Sequence, residues 1–415
     1  MTNKINSLRG MPDFYPEDII SWTPVENKLE EIFNSYSINE IRTPIMEYTD
    51  LYKRSVGDTS DIVNKEIYSF NDRNDQSLSL RPEGTAGVIR SIIEKKLDQQ
   101  QSKFWYMGPM FRYERPQKGR YRQFHQAGIE LLGFEEGKAD FELISMICSI
   151  INGLKIKNTT LKINHLGDKQ SKQDFAKELV SFLSSYKDQM DEKDLERLNT
   201  NPLRILDTKD HNIQEILKSG PSLKDFIPNS ANELLENIQS TFGDLCNIEI
   251  DNNLVRGLDY YTGLVFEATS SDLGAQDAFL GGGRYDILSE MLGGKDMPAI
   301  GLAIGLERII SIATISPSNK KKVAFITSTS NIAPLAFKIA NQLRSANSEI
   351  SLDMDLTESS IKAKLRRANK TNASHVFILG DEEINNNLII VKYLREDVEQ
   401  TNVSLKELIE LYKEI

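Results

Sequence analysis

Cysteine and histidine are both scarce in this 415-residue sequence, and each scarcity excludes a class of protein. The two cysteines, Cys148 and Cys246, lie far apart and form no CxxC pair. Neither a disulfide scaffold nor a cysteine-rich zinc site is expected. The four histidines, His125, His165, His211 and His375, show no HxxxH or HExxH spacing, which argues against a zinc hydrolase. No GxxxxGK[ST] phosphate loop occurs, and the glycine triplet at Gly281 has neither the lysine nor the spacing of one. Long apolar runs are missing too: the nearest approach, residues 298–318, is broken by Glu307 and Arg308. Residues 1–15 hold no apolar stretch of the kind that heads a secretory signal. A cytoplasmic protein with no membrane partner is expected. Nor is there a surplus of positive charge. Lys and Arg total 50 against 61 Asp and Glu, so any nucleic acid must be met by local basic patches on an acidic body.

What is present reads as two or three globular units. Residues 19–36 carry Trp22, Val25, Leu29, Ile32 and Phe33 at helical spacing. Strand-like pieces follow at 40–44, 67–70 and 78–80. Two apolar, aromatic runs, 104–111 and 124–132, flank a polar basic loop and predict a long antiparallel hairpin. Residues 140–154 predict a helix with Asp140 as N-cap. From about 166 to 242 the chain is rich in Lys, Asp, Glu and Leu with helical periodicity, which predicts a helical insertion. Strand character returns at 248–250 and 260–269. A linker at 316–322 precedes a strand–helix alternation over 320–415, which predicts a small α/β domain with a mostly parallel sheet.

The hairpin carries the first chemical signal. Alternation along 124–132 puts Phe124, Gln126, Gly128, Glu130 and Leu132 on one face. Gly128 leaves room there, and Gln126 and Glu130 can hold a cation; a solvated sheet face is the competing reading. The preceding run ends in Phe111-Arg112-Tyr113-Glu114-Arg115, and the loop adds Lys118, Arg120 and Arg122. Five cations against one acid can hold phosphates, or simply form a solvated tip. In Pro298-Ala299-Ile300-Gly301-Leu302-Ala303-Ile304-Gly305-Leu306-Glu307-Arg308, the small residues alternate. One strand face is therefore nearly bare, fit for a flat ligand such as adenine or for close helix packing.

These residues resemble the motifs of the class II aminoacyl-tRNA synthetases. The run from Phe111 to Arg115 resembles motif 2, Gly305-Leu306-Glu307-Arg308 motif 3, and Ile41-Arg42-Thr43-Pro44 motif 1. Leu254-Val255-Arg256-Gly257-Leu258-Asp259-Tyr260-Tyr261 resembles a segment peculiar to histidyl-tRNA synthetases. Arg81-Pro82-Glu83-Gly84-Thr85 and the run from Arg115 to Gln126 agree with it. The resemblance covers essentially the whole chain. It implies an α+β catalytic domain (1–317) built on an antiparallel sheet, carrying the helical insertion. A C-terminal α/β anticodon-binding domain (320–415) completes the homodimer's subunit.

The activity so implied is activation of L-histidine with ATP and its transfer to tRNA-His, with Mg²⁺ bound through the ATP phosphates and no protein metal site. Arg112, Arg256 and Arg308 would be catalytic. Arg112, Glu114, Arg120 and Arg308 would bind ATP. Glu83, Gly84, Thr85 and Gln126 would surround the histidine ammonium, with Glu130 and Tyr261 at the imidazole nitrogens and Tyr260 lining the pocket. Arg115, Gln117 and Lys118 would meet the tRNA acceptor end. Lys362 and Arg366 recur on one face of the basic segment 361–370, with Ile361, Leu365 and Ala368 toward the core; that face suits the anticodon stem or plain solvent. The competing family member is a catalytically inactive paralogue, the regulatory subunit of ATP phosphoribosyltransferase. It generally lacks the terminal domain and has eroded motifs, whereas this chain keeps both.

Overall fold

The fold is that of a computed structural model, which describes residues 4–57, 62–117, 119–208, 210–258, 260–274, 277–316 and 320–415. Lys118 lies outside the described residues, as does Asp259. The chain divides into two compact units, Met1–Pro317 and Ser318–Ile415.

The first unit opens with helix α1, Pro16–Ser35. It starts earlier than its apolar spacing predicts because Pro16 presets the first turn and the Asp18 carboxylate accepts the Tyr15 N–H at 2.9 Å. Strand β1 is short, Asn39–Glu40, so most of the 40–44 run is not strand. Next come β2 (Met46–Tyr48), α2 (Thr49–Val56), β3 (Ser69–Asn71) and β4 (Ser77–Leu80), whose strands make a small antiparallel sheet in the order β2-β4-β3. Helix α3 (Thr85–Glu94) leads into the hairpin, β5 (Ser102–Phe111) and β6 (Gln123–Leu132). Helix α4 runs Lys138–Gly153, with Asp140 inside its first turn rather than at the N-cap. Its carboxylate reaches back to the Gly137 N–H at 2.6 Å.

Strand β7 (Thr159–His165) is followed by four helices, α5 (Lys169–Leu183), α6 (Glu192–Thr200), α7 (His211–Leu217) and α8 (Asn229–Phe242). Short 3₁₀ turns interleave them. The chain then returns through β8 (Ile248–Ile250), β9 (Thr262–Ser270), β10 (Ala278–Arg284), α9 (Leu288–Met291), β11 (Ala299–Gly305) and α10 (Leu306–Ile312).

These strands build an eight-stranded sheet, β1-β5-β6-β11-β10-β9-β7-β8. Among the described residues only the rim pairs β1·β5 and β7·β8 of this sheet are parallel. One face packs on α1, α4, α8 and α10, burying Ala127, Ile129 and Leu131 of β6 against Leu143, Ile144 and Ile147 of α4. Each large aliphatic side chain buried there contributes ~1.5–3 kcal/mol. The other face is covered in part by α3 and the insertion helices. Glycines let β9, β10 and β11 approach closely: a Cβ on Gly282 would lie 2.7 Å from the Leu302 Cα, and Gly283 has φ +155 beside a bulge.

The second unit comprises β12 (Lys322–Thr327), α11 (Ala333–Ala346), β13 (Ser351–Met354), α12 (Ile361–Lys370), β14 (His375–Leu379), α13 (Asp381–Asn386), β15 (Ile389–Tyr393), β16 (Thr401–Val403) and α14 (Leu405–Glu414). Its sheet, β13-β12-β14-β15-β16, is mixed rather than mostly parallel: β14·β15 and β15·β16 are antiparallel. The 380–388 connection is too short for the parallel crossover, which takes roughly a dozen residues or more.

Candidate active site

On the face of the large sheet away from α1 and α4 lies a cavity of about 260 Å³. Its floor is β11, and register fixes what stands along it. Gly301 pairs with Glu130, Ala303 with Gly128, and Gly305 with Gln126. Gly301, Ala303 and Gly305 all line the cavity, as their alternation predicts. Ala299 does not. The space above Gly301 is taken by the Glu130 carboxyl, which a Cβ there would strike. The bare face open to a flat ligand therefore begins at Ala303.

Cations gather around that bare stretch. The Arg308 guanidinium donates to the Gly119 carbonyl at 3.1 Å and the Ala278 carbonyl at 2.6 Å, which fixes it beside the Gly305 end. Arg120 pairs with Glu114, and Arg256 with Glu267. The Arg256 guanidinium occupies the place where a Cβ on Gly281 would stand. Arg112 donates to the Pro82 carbonyl at 2.9 Å and lies over the Phe124 ring, 5.3 Å from its centroid. Burial lowers the Arg112 pKa, and burial with nearby Arg120 and Arg112 lowers that of Arg308. Burial opposes the charge on Arg256 as well, but Tyr261 and Glu267 more than restore it. Arginine keeps its proton through such shifts, so the cluster is a focused positive field suited to anions.

The opposite end is acidic and phenolic. Glu83 lines the cavity and caps α3, accepting the N–H groups of Thr85 at 2.6 Å and Ala86 at 3.0 Å. Burial pushes its pKa up, against those two hydrogen bonds. Gln126 Oε1 is buried without a partner, an acceptor left open for an ammonium. Tyr106, Tyr260, Tyr261 and Tyr285 complete the wall, all with pKa values raised by burial and so phenolic at neutral pH.

The structure thus brings together Arg112, Glu114, Arg120, Arg256 and Arg308 with Glu83, Thr85, Gln126, Tyr260 and Tyr261 around one cavity. Other predicted residues stand elsewhere. Gly84 and Gly128 do not line the cavity: the space that each glycine leaves is filled by the Tyr106 ring. Gly128 therefore makes room for a tyrosine, not directly for a ligand. Glu130 is wholly buried behind the wall, accepting from Thr85 Oγ1 at 2.7 Å and from the Tyr285 hydroxyl. Arg115 and Gln117 lie on the loop between β5 and β6, outside the cavity lining. In the second unit, Lys362, Arg366 and Lys370 are exposed along α12, while Lys364 is buried and donates to the Thr327 carbonyl at 2.9 Å. Ile361, expected toward the core, is exposed instead.

Residues 10–309 match the family described as histidyl-tRNA synthetase, and residues 313–415 match the anticodon binding domain. The histidine–tRNA ligase of Francisella philomiragia is 40% identical over 421 residues, spanning 100% of this chain and 99% of that protein. That of Ruthia magnifica is 42% identical and spans all of both. The chain belongs to the histidyl-tRNA synthetase family. Apo S. aureus histidyl-tRNA synthetase superposes with a TM-score of 0.81 at 33% identity, covering 99% of this chain and 100% of that one. A Bacillus halodurans ATP phosphoribosyltransferase regulatory subunit/histidyl-tRNA synthetase reaches 0.66 at 20% identity over 92% of this chain and 99% of that one, a likeness of fold alone.

Two wall residues of this synthetase-family cavity escape a reading of motifs. Tyr106 stands opposite Gly128 in the hairpin. An aromatic facing a glycine across paired strands is a signal the register would have supplied. Tyr285 follows the glycine triplet, and only the fold shows that its hydroxyl reaches Glu130.

Proposed function

We propose that this chain is a histidine–tRNA ligase. It activates L-histidine with ATP to histidyl-adenylate and pyrophosphate, then transfers histidine to the 3′ end of tRNA-His. The observation that carries this reading is one cavity with four arginines at one end and an acid, an open amide acceptor and phenols at the other.

The chemistry follows from that polarity. The histidine carboxylate is already ionised, so it attacks the α-phosphorus without a general base. As pyrophosphate leaves, negative charge builds on the phosphate oxygens. Arg112, over the Phe124 ring, and Arg256, beside Gly281, meet that charge at the α-phosphate, and Arg308 holds the γ-phosphate end, with Glu114 and Arg120 alongside. Fixed cations in a buried site stabilise such charge without reorganising. Glu83, Thr85 and Gln126 receive the ammonium. Tyr261 and Tyr285 face the imidazole with Tyr260 behind them, and Glu130 orients Thr85 and Tyr285 from below. A pocket that pairs both ring nitrogens rejects analogues lacking them, because its own polar groups would go unpaired.

Among the described residues no trio of metal-ligating side chains occurs. Mg²⁺ would enter with the ATP phosphates as MgATP, where it would screen their charge. Arg115, Gln117 and Lys118 meet the acceptor end, and Lys362 and Arg366 the anticodon stem. The small sheet exposes Met46, Tyr48 and Phe70, with Ile45 beside them, an apolar patch that supports the homodimer by offering a second copy something to cover. Among the described residues no helix is long and apolar enough to cross a membrane. The setting of the reaction is the cytoplasm. Charging of tRNA-His with labelled histidine tests the proposal: the full chain should acylate it in the presence of MgATP, and an inert, folded chain would remove it.

A further inference from the structure

The helical insertion has no part in the chemistry above, yet it holds the loop on which the histidine pocket depends. The 251–261 segment carries Arg256, Tyr260 and Tyr261 but contains no helix or strand among its described residues. Its carbonyls are gripped from outside. Arg204, in the 3₁₀ turn Pro202–Asp207, donates to the Gly257 carbonyl at 2.7 Å. Lys172, on α5, donates to the carbonyl of Tyr261 itself. The apolar core of the insertion, including Phe175, Leu179 and Ile205, forms one continuous cluster with Tyr260 and Tyr261. Arg256 touches Tyr261 but has anchors of its own as well, the Glu267 carboxylate of β9 and the empty place at Gly281.

We infer that Lys172 and Arg204 are positioning residues through which the insertion sets the amino-acid half of the active site and leaves the nucleotide half alone. The separation follows from the anchorages: freeing Tyr260 and Tyr261 from the insertion loosens the imidazole wall, while Arg256 loses only its Tyr261 contact and keeps its pairing with Glu267 of the sheet. The inference rests on the cavity being the histidine site. In the test, Lys172→Met, Arg204→Met and Arg204→Lys are made in the full chain. ATP–pyrophosphate exchange then gives KM for histidine and for ATP separately, alongside a thermal melt. Loss of either charge-assisted bond should raise the histidine KM about tenfold. The ATP KM and melting midpoint should not move, and Arg204→Lys should largely restore the histidine KM. Unmoved histidine KM, or a rise matched by ATP KM and a lowered midpoint, would overturn the inference by showing no role or only general support. A wild-type chain without histidine-driven exchange would overturn the reading beneath it and the inference together.

Discussion

Replacing Glu130 should reveal which protonation state the pocket uses. The carboxyl is wholly buried and accepts from Thr85 and Tyr285. Burial pushes its pKa from 4.5 up to about 8, although those hydrogen bonds pull the other way. Because the folded-state value lies above the unfolded one, the stability it contributes is fully present below pH 4.5 and is lost as pH rises through about 8. The loss is on the order of a few kcal/mol, since a tenfold change in proton affinity is worth ~1.4 kcal/mol. Glu130→Gln imitates the protonated acid in shape and cannot ionise. Melts of ligand-free protein between about pH 5 and 9 should show the wild type falling relative to this variant as pH rises. Glu130→Ala instead strands two buried hydroxyls at ~1–3 kcal/mol each. It should melt well below both at every pH, with a raised histidine KM and activation collapsed. Parallel pH profiles for wild type and Glu130→Gln would refute the reasoning, since the carboxyl would then be ionised at no cost.

Three further outcomes are expected. Arg112→Ala should cut pyrophosphate exchange about 10²–10³-fold, the loss typical of removing one fixed partner of transition-state charge, with the fold intact by circular dichroism. Gly128→Ala would drive a methyl into the Tyr106 ring, so it should destabilise by ~1–3 kcal/mol in denaturant melts and raise the histidine KM. Charge reversal of both Lys362 and Arg366 should weaken tRNA binding and flatten its salt dependence while sparing exchange; an unchanged salt slope would show that this face of α12 meets only solvent.

Much of this arrangement is legible in the sequence because period and register carry it. The alternation around Gly301 and Gly305, and the pairing of an aromatic hairpin with a basic loop, are enough to place the cavity floor and its cations. The losses are of another kind. That Gly128 serves Tyr106, and that Gly301 serves Glu130, depends on which side chain a neighbouring strand sends into a vacant space. Likewise, Lys364 shares the buried side of α12 with Ala368, and what lets a lysine lie there is the Thr327 carbonyl, which spacing alone does not supply. The antiparallel end of the second sheet turns on one short connection. Tyr285 is visible only once β10 lies beside β11 and the residue after the bulge turns toward Glu130.

The measurement that bears most directly on this account is ATP–pyrophosphate exchange with the purified full chain, each of the twenty amino acids being offered singly without tRNA. Exchange with histidine alone is the expected result, because an imidazole offers two ring nitrogens to the phenol-lined end of the cavity. Silence with all twenty from folded protein, or exchange driven by a different amino acid, would contradict it.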